Sequence, residues 1–355
     1  MKIKLLTLLL SASLFISAFS CSESTRSRKP VSLIHLTISG SKIKIGDAID
    51  VTVQTKIKNG TLASVKLYLD NHLIHTGTQM SFNYQLKPVM SLGNHELKVI
   101  AQKTDGVKGI NFKSVEVVSD VVPARLTYEV IHTYPHSTKH FTEGLEIHNN
   151  AFYESTGENG KSGIYKFDLE TGKILLSSRL NSKYFGEGIT IMGNKIYQLT
   201  YLAQKGFVYD LTSFSRIDSF SYSTPQGWGL THDRNYLIKS DGTEFLHFLN
   251  PENFKVVRKL AVYDNHGPVK NLNELDYYEG VIYANIWTTS RIVKIDAKTG
   301  KVLADIDCTG LLPMHNPNQK IDVQNGIATN PSNGKMYVTG KLWPTTFEIK
   351  LVKKD

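Results

Sequence analysis

The chain has 355 residues, only two cysteines and a formal net charge of +9. This length is more than one small hydrophobic core can organise, so two domains are expected. Two cysteines cannot supply a disulfide framework or a cysteine-ligated metal cluster. The basic residues are scattered, without dense runs or interleaved aromatic residues, so a nucleic-acid partner is not expected.

The N-terminus predicts export and lipid anchoring. Residues 1–20, MKIKLLTLLLSASLFISAFS, place two lysines before an apolar stretch and small residues, which is the pattern of a secretory signal. The run SAFSC resembles a bacterial lipobox, so we expect cleavage before Cys21, lipid on its sulfur and a polar tether over residues 21–30. The alternative is an ordinary signal cleaved near Ser20. The expected location is the cell envelope, in the periplasm or at the cell surface, with the membrane as a partner through the anchor.

Residues 31–120 predict an immunoglobulin-like β-sandwich. Six or seven short alternating segments, among them AIDVTVQTKI and HELKVIAQKT, are separated by Gly, Asn and Asp turns. The segment carries no cluster of acids or histidines, so a spacer or docking module is expected. The stretch SDVVPAR, residues 119–125, is the predicted domain boundary.

The chain from residue 126 to 355 repeats itself five times. The copies begin at TEGLE, GEGIT, GWGLT, LNELD and QNGIA, and their second residues are spaced 44, 41, 45 and 52 apart. Each copy continues with two further strands and four of them add another, which is the pattern of propeller blades. The fifth copy lacks its outer strand, and LTYEVIHTY, residues 127–135, is predicted to replace it and close the ring. The sequence therefore predicts an all-β protein with a five-bladed β-propeller.

Two rings of residues are expected to converge at the mouth of the central channel, because equivalent repeat positions meet there. The first ring contains Glu143, Glu187, Trp228, Asn273 and Asn325, and the second contains Gly157, Tyr201, Gly242, Trp287 and Lys341. Framework positions agree between copies, whereas the ring positions hold acids, amides, aromatics, glycine and a lysine. Packing does not explain this mixture, so we interpret it as a functional site. Polar filling of a water-containing channel is the alternative.

The mixture suits acid–base chemistry in an apolar pocket. Aromatic walls desolvate a carboxylate and raise its pKa toward the range useful for proton transfer. Glu187 fits this role, with Phe185 as wall and Gly186 and Gly188 predicted to give a substrate close access. Asn273 and Lys341 are candidate donors to a developing oxyanion.

Other chemistries find less support. His136 and His140 are four residues apart in a predicted loop, but no acid accompanies them in sequence at ligand spacing, so no zinc site is predicted. No G-x-S-x-G elbow and no P-loop occurs in the sequence.

Eight motifs in residues 126–352 resemble the glutamine cyclotransferase family, the plant and bacterial glutaminyl-peptide cyclotransferases. They are HFTEGLEI, ESTGENGKSGIYKFDLETGK, YFGEGITI, IYQLTYLAQKGFVYD, GWGLTHD, LIKSDGTEFLHFLNPENF, LNELDYYEGVIYANIW and VTGKLWPTTFEIKL. The resemblance implies a five-bladed propeller that converts the N-terminal glutamine of a peptide to pyroglutamate and releases ammonia, without catalytic zinc or another cofactor.

The resemblance also implies roles for particular residues. Glu187 matches the catalytic acid, with Asn273 and Lys341 around the substrate amide. Phe141, Phe185, Trp228 and Trp287 match aromatic residues of the pocket. Two positions depart from the plant pattern, since Glu143 stands where plant members have glutamine and Tyr201 where they have tryptophan. The expected partner is a peptide or protein with N-terminal glutamine, and a monomer is expected.

Two rival functions stay open at this point. One is a non-catalytic, lipid-anchored propeller that binds a peptide or glycan end with the same ring residues. The other is a calcium-dependent hydrolase, which would need several acids around one ion where the rings supply only Glu143 and Glu187. A structural cation in the channel is also compatible with the sequence.

Overall fold

The computed structural model describes residues 26–38, 42–86, 91–313 and 320–354. The predicted signal, Cys21 and the first part of the tether lie outside the described residues. Within these ranges the regular elements are 28 β-strands, β1 to β28. No helix in this described part has the length and apolar character needed to cross a bilayer.

The first eight strands form the predicted sandwich. They are β1 (Val31–Thr37), β2 (Ile43–Lys44), β3 (Ile49–Lys56), β4 (Leu62–Leu69), β5 (His72–Gly77), β6 (Ser81–Leu86), β7 (Gly93–Lys103) and β8 (Lys108–Val118). One sheet has the order β1-β3-β6 and the other β2-β8-β7-β4-β5. The alternating residues of both sheets meet in one apolar core, which includes Val51, Val53, Leu67 and Val99. Eight strands exceed the expected six or seven for two reasons. Asp70 and Asn71, both at positive φ, turn one predicted segment into the hairpin β4–β5, and the two-residue strand β2 was not predicted.

The remaining strands form five blades around a channel. Blade 1 holds β10 (Thr142–His148), β11 (Ala151–Thr156), β12 (Gly163–Phe167) and β13 (Ile174–Arg179). Blade 2 holds β14 (Gly186–Met192), β15 (Lys195–Thr200), β16 (Lys205–Asp210) and β17 (Arg216–Ser221). Blade 3 holds β18 (Leu230–His232), β19 (Leu237–Lys239), β20 (Phe245–Leu249) and β21 (Val256–Ala261). Blade 4 holds β22 (Leu272–Tyr278), β23 (Val281–Ile286), β24 (Arg291–Asp296) and β25 (Val302–Asp307).

Blade 5 closes the ring as the repeat pattern predicts. It holds β26 (Gln324–Thr329), β27 (Met336–Gly340), β28 (Thr345–Lys353) and, as its outer strand, β9 (Ala124–Pro135). β9 pairs antiparallel with β28 from Pro135 opposite Thr345 to Leu126 opposite Lys353. Its first residues also pair in parallel with β25 of blade 4. The strand that precedes the first blade therefore covers the edge of the last one.

Apolar cores lie between the blades rather than at the channel. Each of the five seams has its own cluster of buried side chains, for example Ile191 of blade 2 with Ile164 of blade 1 and Val338 of blade 5 with Ile292 of blade 4. The inner strands consequently approach one another at the axis, where Gly144, Gly188, Gly229 and Gly326 occupy equivalent positions. A Cβ on Gly229 would meet the carbonyl oxygen of Asn273 at 2.1 Å, so only glycine fits there.

The equivalent position of blade 4 breaks this glycine ring with Glu274. Its carboxylate reaches across the channel and accepts hydrogen bonds from the backbone N–H of Leu145 at 3.1 Å and of Ile327 at 2.8 Å. Burial raises the pKa of Glu274 well above its usual value. The side chain thus fills the middle of the channel and separates its two ends.

The sandwich contacts the propeller at blade 3. Leu92 and Val118 of the sandwich pack on Tyr263, and the Ser119 N–H donates to the carbonyl of Asp264 at 3.0 Å. Lys301 also pairs with Asp120 in the connecting segment at 2.7 Å. These contacts lie beside the outer strands, away from the channel mouth.

Candidate active site

All nine propeller residues predicted as site residues line one pocket at the channel mouth. The pocket has a volume of about 230 Å³, and one further residue, Asp322, joins the predicted set. Its lining residues are Phe141, Glu143, Phe185, Glu187, Tyr201, Trp228, Asn273, Trp287, Asp322 and Lys341. Residues separated by up to 200 positions in the chain meet here, because all of them except Asp322 belong to a few repeat positions that face the channel mouth. The tenth candidate, Cys21, lies outside the described residues.

The inner strands of four blades, all except blade 3, break their regular pairing at the first-ring residue. The register shifts between Thr142 and Gly144, between Gly186 and Ile189, and between Leu272 and Leu275. Glu143, Glu187 and Asn273 fall within these irregular stretches. A bulge of this kind re-aims a side chain away from the regular alternation of the strand.

Aromatic rings form two walls of the pocket. Phe141 and Phe185 meet edge to face with centroids 6.1 Å apart, and Trp228 and Trp287 do so at 5.4 Å. Trp287 is 42% exposed, so it forms the rim, whereas Glu187 below it is 5% exposed. The pocket therefore has an apolar collar above a polar floor.

The floor holds a carboxyl pair and a lysine. The Lys341 Nζ donates to Glu143 Oε1 at 2.7 Å, and Asn325 Nδ2 donates to Glu143 Oε2 at 3.2 Å. Glu187 lines the same floor and lies close enough to Glu143 for each carboxyl group to act on the pKa of the other. Two neighbouring carboxyl groups cannot both be ionised cheaply, so the pair retains a proton.

The environment decides which acid carries that proton. Burial raises the pKa of Glu143 to about 7, against the opposing effect of Lys341. Burial and the neighbouring Glu143 raise the pKa of Glu187 well above its usual value. Of the two acids, Glu187 is therefore the one that keeps the proton more strongly, because Lys341 favours the ionised form of Glu143.

Asn273 contributes an unsatisfied polar atom. Its side chain is 3% exposed, and its Oδ1 has no hydrogen-bond partner among the described residues. Leaving a buried amide oxygen unpaired costs about 1–3 kcal/mol. An N–H group of a bound molecule would relieve this cost.

Two glycine interpretations from the sequence are wrong. Gly186 and Gly188 do not open the pocket to a substrate, because a Cβ there would meet Thr156 O at 2.6 Å and Leu230 N at 2.3 Å. They accommodate neighbouring strands instead. Gly157 of the second ring leaves space for the aromatic wall, since a Cβ added at this position would lie 2.4 Å from the ring of Phe185.

The structure places an acid beside His136 and His140 that the sequence spacing did not indicate. Glu154 of β11 lies 3.2 Å from His136 Nε2 and 2.6 Å from His140 Nδ1. Among the described residues this is the group of His, Cys, Asp or Glu side chains close enough to share a metal ion. Pairing of β10 with β11 brings Glu154 to the loop, which sequence spacing could not reveal.

Sequence reasoning missed Asp322 and the partners of the acid pair. Asp322 precedes β26, and its repeat counterparts do not line the pocket, so the repeat carried no signal for it. The repeat places Asn325 in the first ring but does not indicate its hydrogen bond to Glu143. Glu274 could have been found, because it is the single break in a ring of glycines.

Fold and site together define a class of protein. It is a five-bladed propeller enzyme whose channel mouth holds a small apolar-walled pocket with a proton-sharing carboxyl pair. A site of this size suits one residue or end group, since pockets for larger ligands span roughly 300–1,000 Å³.

Comparisons with known proteins agree with this class. The family model for glutamine cyclotransferase matches residues 107–351, and a bacterial Ig domain model matches residues 34–99. A glutaminyl-peptide cyclotransferase of Arabidopsis thaliana is 39% identical over 226 residues, which cover 63% of this chain and 71% of the relative. The crystal structure of Myxococcus xanthus glutaminyl cyclase matches with a TM-score of 0.61 and 36% identity, covering 66% of this chain and 100% of that one.

The chain belongs to the glutamine cyclotransferase family. The family, the fold class and the cyclotransferase activity predicted from the sequence are confirmed. The family match begins at residue 107, just before β8, the last strand of the sandwich. The family match therefore begins within the sandwich, before the first propeller strand, β9.

Proposed function

We propose that the pocket binds the N-terminal glutamine of a peptide or protein and that Glu187 moves the protons of its cyclisation. The observation that carries this proposal is the contact of Glu187, Glu143 and Lys341 on the floor of an apolar-walled pocket. The substrate's α-amine attacks its own side-chain amide carbon, so the protein needs no nucleophile. Its task is to hold the folded conformer and to transfer protons, and positioning of this kind contributes up to about 7–11 kcal/mol.

The aromatic walls and the exposed rim of the pocket orient different parts of the substrate. The glutaminyl side chain lies between the aromatic walls, and the rest of the peptide leaves past the exposed rim at Trp287. The unpaired Oδ1 of Asn273 accepts an N–H of the substrate. Only one residue of the peptide is enclosed, which fits an enzyme that acts on many different chains.

The proton balance closes with one carboxyl group. The reaction removes one proton from the amine and adds one to the departing amide nitrogen. Because Glu187 starts protonated, it first acts as the acid toward the leaving nitrogen and then accepts the amine proton, which restores its resting state. The substrate amine must enter unprotonated, and α-amines do so readily near pH 8.

Lys341 and Glu143 support this cycle. Among the described residues Lys341 donates one side-chain hydrogen bond, to Glu143, so its remaining N–H groups can stabilise the oxyanion of the tetrahedral intermediate. The ionised Glu143 in turn keeps the proton on Glu187 between turnovers. No step in this scheme is assigned to a metal or another cofactor.

The test is conversion of a glutaminyl dipeptide by the purified full-length chain, followed by ammonia release and by the mass of the product. Wild type should remain active with a strong chelator, and Glu187→Gln should lose turnover but retain dipeptide binding. Complete loss of activity to the chelator would refute the metal-free scheme. Wild-type activity in Glu187→Gln would refute the role of Glu187, while binding without any turnover in wild type would favour the non-catalytic alternative.

We also propose that the chain is exported and anchored in the cell envelope by lipid on Cys21, and that it acts as a monomer. The support is the N-terminal sequence pattern for the anchor and a site completed by residues of one chain. Wild type should partition into detergent and carry acyl mass at its N-terminus, whereas Cys21→Ser should do neither. Cys308→Ser is the matched control, because Cys308 is buried in the propeller. Size-exclusion chromatography of the delipidated chain tests the monomer.

A further inference from the structure

A further buried carboxylate, Glu154, lies at the seam between blade 1 and blade 5, outside the pocket. It accepts hydrogen bonds from His140 Nδ1 at 2.6 Å, from Thr142 Oγ1 at 2.7 Å and from His136 Nε2 at 3.2 Å. Its side chain is fully buried, and both histidines are less than 10% exposed. We refer to Glu154, His136, His140 and Thr142 as the Glu154 cluster.

The cluster joins the two segments that carry the floor of the pocket. On the blade 1 side, Thr142 directly precedes Glu143. On the blade 5 side, His136 Nδ1 donates to the carbonyl of Trp343 at 2.7 Å, and Leu342 N–H donates to the carbonyl of His140 at 2.8 Å.

The blade 5 segment needs this fixation. Lys341 directly precedes Leu342, whose φ of +62° is strained for a residue with a branched side chain. Such a conformation persists only where surrounding contacts impose it. The contact of Lys341 with Glu143 crosses the same seam that the cluster ties together.

The contacts within the cluster have the geometry of hydrogen bonds. Two histidines and a glutamate are a zinc donor set, but zinc bonds of 2.0–2.2 Å place ligand atoms about 3.3 Å apart. The 2.6 Å between His140 and Glu154 is a hydrogen-bond length. His136 gives its Nδ1–H to a carbonyl, so its Nε2 can bond to the carboxylate only by carrying a second proton.

The electrostatics agree with this geometry. Although burial opposes it, Glu154 raises the pKa of His136 above its usual value. Burial likewise opposes ionisation of Glu154, but His140 and His136 lower the pKa of its carboxyl. His136 and His140 are the titratable side chains that act on Glu154 here, and the rings of Phe167 and Tyr165 lie against them.

We propose that Glu154, with His136 and His140, is a positioning latch for cyclisation: it holds Lys341 against Glu143 across the seam of blades 5 and 1. The latch rests on the proposed function, because it acts through the acid pair and the lysine and touches no substrate. Its loss leaves the aromatic walls in place but lets Lys341 withdraw from Glu143. Turnover then falls more than substrate binding, and the pair ionises at a higher pH because Lys341 no longer favours the charged form.

The experiment compares the wild-type full chain with Glu154→Gln and with His140→Gln, using a glutaminyl dipeptide. We expect kcat to fall by roughly 10-fold or more, with KM changed by less than about 3-fold, since a small displacement of a catalytic group costs up to about 100-fold. The acidic limb of kcat/KM should move to higher pH. Ionisation of the substrate amine is common to all variants and does not affect this shift.

His95→Gln is the matched control, because it removes a 2.6 Å bond between His95 and Asp70 in the sandwich. It should leave kcat and the pH profile unchanged. Thermal unfolding and metal content are measured for every variant, and His140→Gln alone tests the latch if Glu154→Gln does not fold.

Two results would refute the latch. One is a wild-type kcat and pH profile in folded Glu154→Gln and His140→Gln, and the other is stoichiometric zinc in wild type that these variants lose. A wild-type chain without activity would instead refute the proposed function.

Discussion

The two ends of the central channel both hold buried acids, yet only one of them is built as an active site. At the pocket end, Glu143 and Glu187 touch each other and a lysine beneath aromatic rings. At the far end, the inner strands finish in a polar cavity of about 850 Å³ that includes Glu146 and Asp276. Burial raises the pKa of Glu146 to about 8 and that of Asp276 to about 7.

The difference lies in the hydrogen-bond partners of each acid. Glu146 accepts a hydrogen bond from the backbone N–H of Ile191 at 3.0 Å, and Asp276 accepts one from Thr329 Oγ1 at 2.5 Å. These acids therefore end in fixed framework contacts of neighbouring blades. Glu187 instead faces a second carboxyl and open pocket volume. A shifted pKa alone thus does not mark a catalytic group, whereas a shifted pKa beside a second carboxyl group and a lysine supports one.

The largest expected effect separates the two ends directly. Glu187→Gln removes the proton donor and should lower kcat by about 10²–10⁴-fold, the usual contribution of general acid–base catalysis. Glu146→Gln is the matched control, since it changes a half-buried inner-strand acid of raised pKa outside the pocket. Steady-state ammonia release from a glutaminyl dipeptide measures both variants. Equal losses in both would show that the channel acids act through the fold rather than through chemistry.

The next effect concerns the lysine that only the pocket end possesses. Lys341→Met should lower kcat by roughly 10–100-fold, because an oxyanion donor is lost. It should also move the acidic limb of kcat/KM upward, since Lys341 lowers the pKa of Glu143 from the value that burial alone would set. Lys335→Met is the control, as it breaks a 2.9 Å pair with Glu348 far from the pocket. An unshifted limb in Lys341→Met would contradict the assigned role of the pair.

The repeat made most of this architecture predictable. The phase of five copies placed Glu187, Asn273 and Lys341 at one channel mouth, because a propeller superposes equivalent positions in space. The same logic placed β9 in the last blade, where it pairs with β28. These are consequences of periodicity, which sequence shows directly.

What sequence could not show depends on contacts between strands. Glu154 reaches His136 and His140 through the pairing of β10 with β11, and Asp322 lines the pocket although its repeat counterparts do not. The glycines beside Glu187 were misread for the same reason, because the backbone atoms that exclude a side chain there belong to other strands. Spacing along one chain carries no information about such neighbours.

A smaller effect is expected at the rim of the pocket. Trp287→Ala should raise KM several-fold with little change in kcat, because the ring is 42% exposed and covers the bound residue without touching the acid pair. Burial of a large side chain contributes about 1.5–3 kcal/mol, and partial exposure reduces that contribution. Tyr236→Ala is the control, since Tyr236 is an exposed aromatic residue near the far end. A large fall in kcat for Trp287→Ala would mean that the rim helps to align the reacting atoms.

The smallest expected effect concerns the far end of the channel and is measured as the pH dependence of the stability of the chain. The folded chain holds the proton of Glu146 up to a pH of about 8, whereas the unfolded chain loses it near a pH of about 4.3. Between these values the folded state binds the extra proton, so the stability contributed at low pH is lost as pH rises. Glu146→Gln carries no such proton and should unfold at a Tm roughly 2–4 °C or more above wild type at pH 8, with less difference at pH 5. Glu129→Gln, on the exposed face of β9, should show no pH-dependent difference. A Tm difference for Glu146→Gln that is the same at both pH values would mean that Glu146 is already ionised in the fold, which would make the far end a charged site rather than a neutral part of the framework.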